Sequence, residues 1–241
     1  MTAGAASIGD DTRVYVIGDI HGRADLLDRM IGAIERDLAA SPATGALTVT
    51  LGDYVDRGPN SRGVIERLCR NPFPTRYIAL KGNHEQLLLL FLINAAIGTE
   101  WRQIGGLETL HSYGVPVGSL MLGRSYEEAS LALRQALPPE HLDFLSKLQL
   151  SFSFGRYFLC HAGVRPKIPL DRQEAEDLLW IRDEFLDSRR NFGKIVVHGH
   201  TPVEEPEVRS NRINIDTGAF ITGRLTCLVI DRDATRFLTA S

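Results

Sequence analysis

Short apolar segments alternate with longer amphipathic ones through the first half of the chain. The segments RVYVIGD, LTVTLGD and RYIALKGN are typical of short buried strands, because each is a compact apolar run with a glycine at or near its end. Apolar residues recur at helical spacing over 24–39, and a second helix is predicted over about 61–70. A strongly apolar helix is predicted after the third strand. This half of the chain therefore predicts alternating strands and helices.

The second half of the chain becomes rich in strands. Two further helices are predicted over 126–148, followed by the strand-like segments YFLCHAG, KIVVHGH, RINIDTG, LTCLVID and RFLTA. Interleaved helices and strands followed by strands mostly alone indicate an α/β fold with a mixed sheet or two packed sheets. The most apolar stretch, LLLLFLINAAIG, is too short to cross a bilayer and predicts a helix buried in the domain.

Composition and charge limit the classes of protein to consider. The chain has 241 residues, 44% hydrophobic and 24% charged, which is typical of a globular protein. This length favours one domain over 1–241, with 1–12 as a flexible tail that lacks the features of a signal peptide. A formal net charge of -3 gives no basic field for a nucleic acid or a membrane. Three widely spaced cysteines without a CxxC pair predict reduced thiols and a cytoplasmic location.

Polar clusters follow five of the predicted strands. The first three strands end in GDIHG (18–22), GDYVDRG (52–58) and GNHE (82–85), and two later strands end near His161 and His200. A single cluster of this kind is usually a turn or a helix cap. Because ligand sites in α/β sheets lie beyond the carboxyl ends of the strands, five clusters together predict one shared crevice.

The GNHE cluster also has a purely structural explanation. Asn83 can cap the following helix through its side-chain oxygen, and Glu85 in the first turn suits the helix dipole. This explanation leaves His84 without a role. Glu85 is therefore expected to cap or orient the loop, while Asn83 and His84 remain candidates for chemistry.

Carboxylate, imidazole and amide groups in these clusters predict a metal site. Asp19 and His21 are alternate residues at a strand end, so a sharp turn can direct both toward one ion, and Asp53 can bridge two ions. Oxygen and imidazole donors without thiolate favour Mn²⁺, Fe or Zn²⁺ in an open site. A two-metal centre generates a hydroxide and holds both oxygens of a phosphoryl displacement. The candidate ligands are Asp19, His21, Asp53, Asn83, His161 and His200.

The order and spacing of the motifs GDIHG, GDYVDRG and GNHE resemble the signature of the phosphoprotein phosphatase family, within the calcineurin-like metallophosphoesterases. The later segments CHAG, LLWIRDEF, VVHGHTP and INIDTGAF resemble blocks of its compact bacterial and bacteriophage branch, so the resemblance covers about 14–230. It implies a β-sandwich of two mixed sheets with helices on both outer faces and the metals at one sheet edge.

The resemblance also implies the cofactors and their ligands. Two divalent ions are implied, with Mn²⁺ expected and Fe or Zn²⁺ as alternatives. Asp19 and His21 resemble ligands of the first ion, and Asp53 resembles the bridging carboxylate. The ligands of the second ion are matched by Asn83, His161 and His200.

Four further residues match catalytic positions of the family. His84 resembles the general acid that protonates the leaving group, and Asp56 resembles the carboxylate that holds it. Arg57 and Arg182 resemble the guanidiniums that grip the phosphate, a task that suits a bidentate fork better than an ammonium. No covalent phosphoenzyme is expected, because no cysteine lies in a phosphate-cradling loop.

Two substrate classes stay open. A serine/threonine protein phosphatase, with phosphotyrosine as a further substrate to consider, would act on phosphorylated proteins, peptides or small phosphoesters. The alternative is a symmetrical dinucleoside tetraphosphatase or another nucleotide phosphatase. Those relatives tend to lack the Asp-Arg pair and to carry Asp in place of Glu85, so the sequence favours the protein phosphatase. A non-catalytic scaffold would need lost ligands, and none is lost.

Several polar residues near the motifs have no assigned role. His198 is expected to be structural or to support a ligand, and Arg165 to be a solvated loop residue. Lys81 stands where close relatives often carry Arg, so any phosphate contact there would be made by a point charge instead of a bidentate fork. Asp216 is left out of the site, and His111 and His141 are expected in ordinary surface or core positions.

Overall fold

The computed structural model describes residues 12–241. These residues contain ten strands and eleven α-helices, joined by loops and short 3₁₀ turns. The strands are β1 (Thr12–Ile17), β2 (Gly45–Thr50), β3 (Arg76–Ala79), β4 (Ser151–Phe154), β5 (Tyr157–Cys160), β6 (Ile195–His198), β7 (Glu207–Val208), β8 (Arg212–Asn214), β9 (Leu225–Asp231) and β10 (Ala234–Ala240). The helices are α1 (Ala24–Ala40), α2 (Ser61–Leu68), α3 (Asn83–Ile93), α4 (Gly98–Gln103), α5 (Gly106–Ser112), α6 (Gly118–Met121), α7 (Tyr126–Ala136), α8 (Pro139–Ser146), α9 (Ala175–Trp180), α10 (Asp183–Leu186) and α11 (Ala219–Thr222).

The strands form two five-stranded mixed sheets. The first has the order β10-β9-β1-β2-β3, in which β1, β2 and β3 are parallel and β9 is antiparallel to both neighbours. The second has the order β4-β5-β6-β8-β7, in which β5, β6 and β8 are parallel and each edge strand is antiparallel to its neighbour. The prediction of an α/β fold with two mixed sheets is confirmed.

Alternate residues of β1 face two different cores. Val14 and Val16 pack between the sheets, against residues such as Leu159 of the second sheet. Tyr15 and Ile17 point the other way, into a core shared with α1, α2 and α3. This alternation follows from the two-residue period of a strand. A third core lies on the outer face of the second sheet, beneath α9 and α10, so helices cover both outer faces.

The structure decides two points about the apolar helix α3. Its N-cap is Gly82, so Asn83 is the first helical residue and the capping role considered for its side chain is wrong. Seven of its eleven residues are buried, as the sequence predicts, whereas the Ile93 side chain at its C-terminal end is 77% exposed. Only one face and the first turn of α3 are needed to fill the core, and its C-terminal end reaches solvent.

The structure also bears on the predicted N-terminal tail, on the cysteines and on membrane-spanning helices. Thr12 begins β1, so it does not belong to the predicted tail, and positions 1–11 lie outside the described residues. The free cysteines Cys160 and Cys227 are buried and Cys69 is half-buried. Within 12–241, no helix combines the length and apolar character needed to span a membrane.

Candidate metal centre

The predicted site residues lie together at one edge of the two sheets. The loops that follow β1, β2 and β3 meet the loops that follow β5 and β6, because parallel strands direct their carboxyl ends to the same side. Backbone N–H groups of Ile20 and His21 donate to the Asp53 carbonyl, and the Gly199 N–H donates to the His161 carbonyl. These bonds join the loops of neighbouring strands within each sheet.

Five candidate residues have left-handed backbone conformations that non-glycine residues rarely adopt. Each such residue costs on the order of 1–3 kcal/mol and persists only where its surroundings hold it. They are His21 (φ 44°), Asp53 (φ 52°), Asp56 (φ 71°), Arg57 (φ 66°) and His200 (φ 67°). All five strained residues lie at one edge of the sheets. The fold therefore places these side chains at a cost in backbone stability.

Asp53 lies at the centre of the site and is 2% exposed. Its Oδ2 lies 3.4 Å from His21 Nε2 and 3.7 Å from His84 Nε2. Its Oδ1 faces the opposite side, 3.4 Å from His161 Nε2. Two groups of three donors result, and Asp53 belongs to both: His21, Asp53 and His84 in one, and Asp53, His161 and His200 in the other.

Asn83 completes the second group. Its Oδ1 is 2.9 Å from His161 Nε2 and 3.0 Å from His200 Nδ1, and these two ring nitrogens are 3.1 Å apart. The other nitrogen of His161, Nδ1, faces the Leu51 carbonyl at 3.1 Å. That contact requires the ring proton on Nδ1, so the Nε2 lone pair points toward the carboxylate and amide oxygens.

Asp19 lies beside the centre but belongs to neither group of three. Its Oδ2 accepts the His200 backbone N–H at 3.0 Å, while its buried Oδ1 has no partner among the described residues. Burial raises the pKa of Asp19 well above its usual range, and the carboxylates of Asp216 and Asp53 raise it further. A buried carboxylate oxygen without a donor, close to two other carboxylates, is suited to a cation.

Two of the buried imidazoles, those of His21 and His200, are in the neutral form that binds metals. Burial, and then the neighbouring His84, lowers the pKa of His21 to about 3, and burial lowers that of His200 to about 2. The His21 Nδ1 faces the Val55 carbonyl at 2.8 Å, so its Nε2 lone pair is directed at Asp53. Lone pairs directed at carboxylate oxygens repel one another without a cation between them. The donors present therefore fit divalent metal ions.

His84 forms a pair with Asp56. The His84 Nδ1 lies 2.7 Å from Asp56 Oδ2, and Asp56 also accepts hydrogen bonds from Trp101 Nε1 at 2.7 Å and Thr109 Oγ1 at 2.6 Å. Burial alone would lower the pKa of His84, but the carboxylates of Asp53 and Asp56 together raise it above its usual value. The other ring nitrogen of His84 is directed at the centre of the site.

Glu85 holds two loops together. Its carboxylate accepts the backbone N–H groups of Gly82, Asp53, Tyr54 and Val55, at 2.8–3.2 Å. The side chain is fully buried, and burial, with the nearby Asp53 carboxylate, raises its pKa to about 7. Glu85 therefore links the loop after β2 to the start of α3, as expected for a residue that orients the loop.

The two arginines approach the site from different sides. Arg57 donates its Nε–H to the Ile104 carbonyl at 3.3 Å, and its guanidinium lies 4.8 Å from the centre of the Phe220 ring. Arg182 is exposed between α9 and α10, and its positive charge helps to lower the pKa of His200. Among residues 12–241, its side chain has no hydrogen-bond or ion-pair partner.

Most of the polar residues near the motifs that have no predicted role make structural contacts. His198 is buried, with Nε2 3.3 Å from the Arg212 guanidinium. Arg165 is not simply solvated, because it pairs with the buried carboxylate of Asp177 and with Glu184. Asp216 is buried beside the centre, where burial raises its pKa to about 6.

Three residues that contact the site residues were not predicted from the sequence. Trp101 and Thr109 lie on α4 and α5, a region that contains none of the motifs. Phe220 stands at the end of the INIDTGAF segment and packs edge-on against His21, with ring centroids 5.2 Å apart. Only this motif context could have suggested Phe220, and nothing in the sequence suggests the other two.

Comparisons with characterised proteins give relatives with two kinds of name. The chain is 28% identical over 88% of both proteins to an asymmetrical bis(5'-nucleosyl)-tetraphosphatase from Anoxybacillus flavithermus. It is 30% identical to serine/threonine-protein phosphatase 1 from Salmonella typhimurium, over 88% of this chain and 89% of that protein. Both relatives match nearly the full length of this chain.

Solved structures and the family comparison agree on the fold. A structure named as that of a candidate diadenosine tetraphosphatase superposes with a TM-score of 0.65, at 21% identity, over 96% of this chain and 95% of that one. Residues 12–220 match the calcineurin-like phosphoesterase family. The chain therefore belongs to the calcineurin-like phosphoesterases, metallophosphoesterase hydrolases whose members use a dinuclear metal centre.

Proposed function

We propose that the protein is a two-metal phosphomonoesterase that acts as a serine/threonine protein phosphatase. The observation that carries the proposal is the His84–Asp56 pair beside the donors around Asp53. A proton donor next to a metal centre is the arrangement needed to cleave a phosphate monoester with a poor leaving group.

The described residues provide enough donors for two ions. Asp19, His21 and Asp53 would hold the first, while Asp53, Asn83, His161 and His200 would hold the second. When bound, divalent ions would supply the positive charge that activates water and neutralises the phosphate, with Mn²⁺ favoured by the oxygen and imidazole donors. The position of Asp53 in both donor groups supports its role as the bridge.

Side chains of the protein would bind the phosphate and donate the proton in the reaction. Arg57 and Arg182 would bind the phosphate oxygens and orient phosphorus for in-line attack. His84 would give the proton on Nε2 to the departing oxygen, while Asp56 holds Nδ1 and keeps the ring aligned. Cys160 is unsuited to nucleophilic attack, because burial raises the pKa of its thiol.

Dinucleoside tetraphosphate hydrolysis is the second candidate, and the asymmetrical tetraphosphatase relative is the observation that favours it. The intact Asp56–Arg57 pair, the loop-linking Glu85 and the phosphatase relative support the protein phosphatase instead. The tetraphosphatase relative is named as an asymmetrical enzyme, whereas the alternative predicted from the sequence was a symmetrical one.

A substrate panel tests the choice between the two candidates. We expect phosphoserine and phosphothreonine peptides to be hydrolysed with a kcat/KM at least about 10-fold above that for diadenosine tetraphosphate, a difference of roughly 1.4 kcal/mol in the barrier. Phosphate release measures the first reaction, and separation of the nucleotide products measures the second. The opposite order of kcat/KM would assign the protein to the tetraphosphatases.

Phosphate binding tests the two arginines. Arg57→Ala and Arg182→Ala should each weaken inhibition by free phosphate by about 10–100-fold and lower turnover, because hydrogen bonds between charged groups are lost. Arg190→Ala is the control, since Arg190 is exposed before β6, at the opposite end of that strand from His200. Unchanged phosphate inhibition in both site variants would show that these arginines are structural.

A further inference from the structure

We propose that the region formed by α4 and α5 is the support on which Asp56 and Arg57 are positioned, with Trp101 as a positioning residue that acts through Asp56 on His84. This inference rests on the proposed role of His84 as proton donor. It assigns a function to residues 98–112, which contain none of the site motifs.

Every oxygen of the Asp56 carboxylate is held by a named donor. Oδ2 accepts from His84 Nδ1 and from Trp101 Nε1, both at 2.7 Å, and Oδ1 accepts from Thr109 Oγ1 at 2.6 Å. Asp56 is 0% exposed, so no water shell can replace a lost donor. Because Trp101 and His84 share Oδ2, the indole N–H fixes the oxygen that aligns the imidazole.

Trp101 is itself held in place. It is 1% exposed, and its ring packs against that of Phe91 with centroids 5.0 Å apart. A buried indole N–H needs a partner, and Asp56 provides one with a full negative charge. The ring therefore supplies packing to the core and a fixed donor to the site.

The turn between α4 and α5 holds the next residue of the motif. The Gly105 carbonyl accepts the Arg57 backbone N–H at 3.1 Å, and the Ile104 carbonyl accepts Arg57 Nε at 3.3 Å. Gly105 has a φ of 107°, and a Cβ there would lie 2.7 Å from the Arg57 N and Cγ atoms. Only glycine allows this approach, so the turn is shaped to receive Arg57.

The two halves of the support should fail in different ways. Trp101→Phe keeps an aromatic ring and removes the N–H donor, so it should lower kcat on phenyl phosphate by about 10-fold, as expected for a lost hydrogen bond to a charged group. Turnover of p-nitrophenyl phosphate should change less than about 3-fold, because its leaving group needs little protonation. Gly105→Ala should instead raise the inhibition constant for free phosphate by displacing Arg57, and should leave the ratio of the two kcat values unchanged.

Phe91→Leu is the matched control for Trp101→Phe. It weakens packing against the indole without removing a donor to Asp56, so it should lower the melting temperature and leave the kcat ratio at the wild-type value. Thr109→Val removes the donor to Oδ1 and provides a second test if Trp101→Phe does not fold. A change in the ratio in Phe91→Leu equal to that in Trp101→Phe would show that packing alone is responsible, which would overturn the inference.

The His84→Asn variant separates this inference from the proposed function. If His84→Asn leaves the kcat ratio unchanged, the proton-donor role fails, and the inference fails with it. If His84→Asn changes the ratio while Trp101→Phe and Thr109→Val do not, the inference alone is overturned. If all three change it, Trp101→Phe should have little further effect in the His84→Asn background, because the residues act as one unit.

Discussion

Asp53→Asn should lower phosphatase activity by about 10³-fold or more, and added metal should not restore it. The Asp53 carboxylate lies between the two donor groups, 3.4 Å from both His21 and His161. Asparagine keeps the shape of the side chain but carries no charge, and an NH₂ group that cannot bind a metal replaces one of the two oxygens, so the anionic bridge between the proposed ions is lost. Metal centres contribute several kcal/mol to phosphoryl transfer, and each 1.4 kcal/mol or so is a factor of ten in rate.

Metal content after dialysis against Mn²⁺ is the accompanying measurement. Wild-type protein should bind two ions and lose activity with a chelator, and Mn²⁺ should restore that activity best. His21→Asn should lose mainly one ion, whereas Asp53→Asn should bind both weakly. Asp143→Asn, at an exposed carboxylate on α8, is the matched control and should keep both. Full activity of Asp53→Asn in the presence of chelator would end the two-metal hypothesis.

His84→Asn should lower kcat by roughly 10²–10⁴-fold, the usual effect of losing a positioned proton transfer. The loss should be far larger on phosphoserine peptides than on p-nitrophenyl phosphate. A serine alkoxide is a poor leaving group that requires protonation, whereas p-nitrophenolate leaves readily without it. The substrate dependence is therefore the signature of a general acid.

Metal content must be measured for His84→Asn as well. His84 Nε2 is 3.7 Å from Asp53 Oδ2 and lies within one of the donor groups, so loss of an ion would identify His84 as a ligand instead. Asp56→Asn should give a weaker version of the same effect, and the double variant should be less than additive. Equal losses on both substrates with full metal content would mean that His84 positions the phosphate.

The strands and helices that could be predicted are those with a clear period. Helix α1 has five buried residues on one face, and β1 to β3 are short apolar runs between turn signals. The helices α4, α5, α6, α9, α10 and α11 were not predicted, because each has only four to seven residues and too few turns to show a periodic apolar face. Strand β7 was missed for a similar reason, since it has only two residues, and β4, in which serine alternates with phenylalanine, was also not predicted.

The sequence alone determined which residues stand at the strand ends and what chemistry they can perform. Carboxylates, imidazoles and an amide after five strands predicted one site with metal-binding donors, because side-chain type and strand direction are local properties. Contacts between distant residues were decided only by the tertiary structure. It placed Asp53 between both donor groups and turned Glu85 toward four backbone N–H groups.

The support of Asp56 by Trp101 and Thr109 could not be predicted for the same physical reason. These donors are 45 and 53 residues from Asp56 along the chain, and no local pattern records a hydrogen bond across such a distance. The left-handed backbone of Asp53, Asp56 and His200 is likewise unfavourable for each residue by itself. It is stable only because the packed sheets and helices hold the loops, so the sequence supplies the reactive groups and the tertiary contacts aim them.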